Sequence, residues 1–99
     1  MMRRYFPYVH TKDEEALTEY AQIFGPGLLL FSDEENGVSM AAMPLVDASI
    51  CPKFYHVAFA YCSPQDTFDV ERGLVLACAR LDRGEACILP RTTVFGRIV

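Results

Sequence analysis

The chain has 99 residues, of which 52% are apolar and twelve are Phe or Tyr. That length corresponds to one domain with one core, and that apolar content excludes a disordered chain. A net charge of −4 and a pI near 5.0 exclude a generally basic footprint for nucleic acid.

In chain order, Tyr5–Val9 is aromatic and β-branched but is interrupted by Pro7, so it reads as an edge strand at best. Thr11-Lys12-Asp13-Glu14 fits a capping box, with the Thr hydroxyl on the third helical N–H and Glu14 reaching back. Ala16, Leu17, Tyr20, Ala21, Ile23 and Phe24 then recur at helical spacing, and Gly25-Pro26-Gly27 stops the helix. Leu28–Ser32 and Val38–Met43 are short apolar runs joined by Asp33-Glu34-Glu35-Asn36-Gly37, the pattern of a β-hairpin. Pro44–Lys53, with two prolines and little periodicity, reads as a loop.

Phe54–Cys62 alternates Tyr55, Val57, Phe59 and Tyr61 on one face with His56, Ala58, Ala60 and Cys62 on the other. Both faces are mostly apolar, which predicts a central strand covered on both sides. The small residues of the second face leave room for a helix to come close. After the turn Ser63-Pro64-Gln65, Asp66 is the expected N-cap of a helix running to about Leu81, with Gly84 just past its end. Gly73 in its middle costs about 1 kcal/mol of helix propensity, which is tolerable where the helix backbone sits hard against a sheet. Glu85–Leu89 and Thr93–Val99 read as two further strands, with Gly96 as a bulge. The resulting fold class is α+β: a mostly antiparallel sheet of four or five strands with two helices packed on it.

The longest apolar runs, Leu28–Phe31, Val57–Cys62 and Leu74–Ala79, are far short of the ~20 residues a membrane span needs. The first ten residues hold two arginines but no apolar h-region or cleavage site, so no signal peptide is expected and the cytoplasm is the expected location. Cys51, Cys62, Cys78 and Cys87 are isolated and mostly within apolar runs, which reads as reduced packing residues. Cys51, His56 and Cys62 are spaced five and six residues apart, unlike the usual zinc patterns, so neither metal nor cofactor is expected.

The segment Cys62–Leu81 resembles a strand–loop–helix signature of short uncharacterised proteins of bacteriophages and other mobile elements. The matching residues are Tyr61-Cys62, Ser63-Pro64-Gln65-Asp66-Thr67-Phe68, Gly73, Ala77, Arg80 and Leu81. Leu74 stands where that signature has Arg, and Ala79 where it has Gly. The resemblance covers about a fifth of the chain and implies a phage or prophage origin, hence a host-cell cytoplasm. It implies no activity.

Three functional classes remain. A thiol enzyme at Cys62 would use a cysteine placed between a strand and a helix N-terminus. Asp66 opposes thiolate formation there, and His56 lies about 20 Å back along the same strand. A nucleic-acid accessory role would use Arg80, Arg83, Arg91 and Arg97, which fall in the last twenty residues. Asp13, Glu14, Glu15, Glu19, Asp33, Glu34 and Glu35 crowd the first third instead. The third class, a non-enzymatic binding module, is the reading adopted. It would inhibit a host or defence protein through an acidic surface, with Asp33, Glu34, Glu35, Asp66, Arg72, Arg80 and Arg83 as the candidate binding residues. A small apolar sheet with edges to cover also makes a homodimer an expectation.

Overall fold

A computed structural model describes residues 2–5, 14–25, 27–45, 53–63 and 65–96. Five strands form one antiparallel sheet in the order β1-β2-β3-β4-β5, so every neighbour in sequence is a neighbour in space. They are β1 (Arg3–Tyr5), β2 (Leu29–Asp33), β3 (Val38–Pro44), β4 (Phe54–Tyr61) and β5 (Cys87–Pro90). Helix α1 (Glu14–Phe24) precedes β2, α2 (Val70–Asp82) joins β4 to β5, and α3 (Arg91–Gly96) follows β5. The α+β class and the two packed helices are as expected, with α3 added. The predicted capping box at 11–14 and residues 6–9 of the first predicted strand lie largely outside the described residues, as does most of the 44–53 loop.

Strand alternation sorts the apolar side chains into two layers. Tyr5, Leu30, Ala41, Ala58 and Ala60 face α1 and α2, meeting Leu17, Leu74, Ala77, Cys78 and Leu81. Met2, Phe31, Met40, Ala42, Tyr55 and Val57 form the opposite layer with Val94 of α3. β4 is therefore an interior strand covered on both faces, although β3 holds the centre of the sheet. Ile23 departs from the expected stripe of α1. At 100° per residue it falls well away from Leu17, Tyr20, Ala21 and Phe24, and it is 66% exposed.

The small face of β4 does admit a helix. A Cβ added to Gly73 would lie 2.2 Å from Ser39 Oγ and 3.1 Å from Ser39 Cβ, so only glycine lets α2 rest this close on β3. Ser39 is fully buried by the contact, and its Oγ has no hydrogen-bond partner.

Three sequence-based expectations need correction. Helix α2 begins at Val70, and its N-cap is Asp69, whose carboxylate accepts the Arg72 N–H at 3.2 Å. Asp66 belongs to the preceding turn, where its N–H donates to the Ser63 carbonyl at 2.9 Å. The predicted strand Glu85–Leu89 starts two residues late, as β5 at Cys87. Glu85, which the register would set opposite Phe59, turns its N–H to the Arg80 carbonyl at 2.9 Å, while the Arg80 guanidinium donates to the Phe59 carbonyl at 2.6 Å. The predicted strand Thr93–Val99 is helical over 91–96, and residues 97–99 lie outside the described set. Pro90 ends the ladder, and the full burial of Val94 in the second layer outweighs the β propensity of Thr92, Thr93 and Val94.

Candidate functional site

The functional geometry gathers at the N-terminal end of α2, because the β2–β3 turn is fastened beside it. Asp33 closes that turn by accepting the Asn36 N–H at 3.2 Å and its side-chain amide at 2.7 Å. Gly37 takes φ = +64°, a left-handed backbone that other residues adopt only at a cost. The Gly37 carbonyl then accepts the Cys62 N–H at 2.7 Å, tying the turn to the end of β4 where the chain leaves for α2.

Two adjoining clefts result. One, of about 460 Å³, is lined by Cys62, Ser63, Asp66, Thr67, Asp69 and Arg72, with Gly73 and Ser39 at its wall. The other, of about 300 Å³, is lined by Arg3, Ser32, Glu34, Glu35 and Val70. Glu34, Glu35, Asp66 and Asp69 are exposed there, and Arg3 and Arg72 are the arginines that line the same clefts. Among the described residues this end is thus predominantly acidic.

The seven candidate residues divide. Glu34, Glu35, Asp66 and Arg72 come together at this end. Asp33 shares the turn but is buried in its hydrogen bonds, and the Asn36 side chain holds its carboxyl below the usual value. Arg80 and Arg83 belong to the other end of α2. The half-buried Arg80 is committed to the Phe59 carbonyl, and Arg83 forms a 2.8 Å ion pair with Glu85. Of the four arginines assigned to nucleic acid, Arg80 and Arg83 are therefore engaged within the fold, Arg91 opens α3 with an exposed but not unpartnered side chain, and Arg97 lies outside the described residues.

Cys62 is half-buried at the wall of the larger cleft. Its Sγ donates to the carbonyls of Ser63 at 3.5 Å and Asp66 at 3.6 Å. His56 is paired with Met43 and Ile88, six residues back along β4, roughly 20 Å from the thiol. Cys78 lies under α2, where burial pushes its thiol up to about 12. Among the described residues no three His, Cys, Asp or Glu side chains are placed to hold a metal ion, and no helix is long and apolar enough to cross a membrane.

Reading the sequence set Asp69 beside Asp66 on the first turn but gave the cap to Asp66, and it missed Arg3 and Ser39 as parts of this end. Asp66 and Asp69 are three residues apart and nearly in phase on a helix, so periodicity does not tell which one caps. Arg3 and Ser39 reach the clefts only through strand pairing, which leaves no local trace. No family model, curated protein or solved structure matches the chain.

Proposed function

We propose that this domain is a non-enzymatic binding module whose acidic end docks on a basic site of another protein. What carries the reading is the fastening of the Glu34–Glu35 turn beside Asp66 and Asp69 through the Cys62–Gly37 hydrogen bond. Four carboxylates on a rigid frame offer complementary charge without an ordering cost, which favours fast and selective encounter with a cationic surface. The resemblance to mobile-element proteins makes a host or defence protein in the host cytoplasm the partner of choice. A groove that otherwise holds nucleic acid would fit, and blocking it would make the module an inhibitor.

The test is affinity capture from nuclease-treated host lysate with three tagged proteins: wild type, Glu34→Lys/Glu35→Lys and Arg83→Glu. A single stoichiometric partner retained by wild type and Arg83→Glu but lost by the double reversal supports the reading. Recovery that is indifferent to the reversal, or that vanishes with nuclease, overturns it.

A further inference from the structure

The larger cleft has a floor that the fold itself leaves unsatisfied. Ser39 of β3 is fully buried beside Gly73 of α2, both residues line the cleft, and the Ser39 Oγ has no hydrogen-bond partner. A buried hydroxyl without a partner carries a desolvation cost, so it contributes nothing to folding. Asp69, Arg72, Gly73 and Leu76 recur at helical spacing, so one face of the α2 end forms the wall. The exposed Arg72 guanidinium on that wall has no partner among the described residues, nor has the Asp66 carboxylate in the turn before it. Phe68 and the 50% exposed Leu76 add apolar surface. The volume of about 460 Å³ lies within the roughly 300–1,000 Å³ of small-molecule sites.

We propose that this cleft binds a free α-amino acid with an apolar side chain. Charge selects the class. An anion alone would meet Asp66 and Asp69, and a cation alone would meet Arg72, whereas a zwitterion sets each of its charges against an opposite one. The ligand carboxylate accepts from the Arg72 guanidinium and from the Ser39 hydroxyl, which gives the orphaned Oγ its partner. The ligand ammonium donates to the Asp66 carboxylate, since Asp69 is already committed to the Arg72 N–H. The apolar side chain covers Phe68 and Leu76, removing their surface from water. Cys62, at the same wall, is shielded by the bound molecule.

The full chain is titrated calorimetrically with L-leucine, L-methionine and L-phenylalanine, and with the counterpart of each that lacks the amino group or the carboxyl group. At least one amino acid is expected to bind, and both of its half-ligands to bind at least about tenfold more weakly. The same amino acid is expected to slow carbamidomethylation of Cys62 by iodoacetamide, read peptide by peptide, with the exposed Cys87 as internal reference. Ser39→Ala is expected to fold at least as stably as wild type in urea and to bind roughly tenfold more weakly, as are Arg72→Gln and Asp66→Asn to lose affinity. Three amino acids that give neither heat nor protection at about 10 mM, half-ligands that bind as well as the whole, or full binding by Ser39→Ala would overturn the proposal. Titration with free amino acids needs no protein partner, so binding in the cleft and docking of the acidic end stand or fall separately.

Discussion

The closest contact in the sheet–helix layer is a residue-scale event with a measurable signature. Gly73→Ala gains about 1 kcal/mol of helix propensity but drives a methyl into Ser39, and overpacking costs about 1–3 kcal/mol. We expect net destabilisation in urea unfolding. Ser39→Ala removes a buried hydroxyl that has no partner, so it is expected to be neutral or slightly stabilising. In that background Gly73→Ala should lose less, with a coupling of at least about 0.5 kcal/mol. Strictly additive effects would show that Ser39 is not the obstacle. A glycine inside an otherwise good helix already signalled close approach in the sequence. Its partner was not legible, because laying α2 across β3 is decided by tertiary packing and not by any local pattern.

At the scale of elements, the start of α2 separates two aspartates that composition cannot. Asp69→Ala removes the carboxylate that takes the Arg72 N–H and should cost about 1 kcal/mol of stability. Asp66→Ala, in an exposed turn, should stay within about 0.5 kcal/mol. Reversed magnitudes in paired denaturant titrations would return the cap to Asp66. The strongly patterned elements were readable from sequence: the stripe of α1, the Asn-Gly hairpin and the two-faced β4. The C-terminal elements were not, for a physical reason. Thr92, Thr93 and Val94 carry strand propensity, and only the docking of Val94 under the sheet makes their segment helical. Likewise the late start of β5 depends on Arg80 standing in for Glu85, a substitution between residues that no window of local sequence relates.

For the molecule as a whole, two groups among the described residues, Asp33 and Cys78, tie stability to pH. Asp33 has a lowered carboxyl value in the fold, so its contribution is present above about 3.8 and is lost as pH falls through the folded value. Cys78 is raised from 9.0 to about 12, so the unfolded chain releases a proton that the folded chain keeps, and stability falls as pH rises between those values. The slope for one such group is at most about 1.4 kcal/mol per pH unit. Unfolding free energies measured across pH 8–11 are expected to show this alkaline decline in wild type and a flatter one in Cys78→Ala; equal slopes would assign the decline to other groups. Arg80 carries a different consequence for the molecule's behaviour in a crowded solution. By occupying the Phe59 carbonyl, it removes from β4 an acceptor that a passing strand would otherwise recruit. The growth-competent border on that side is thereby confined to four residues ending in a proline, too short to template fibrillar stacking. One guanidinium thus closes an edge acceptor at the place where a strand falls short.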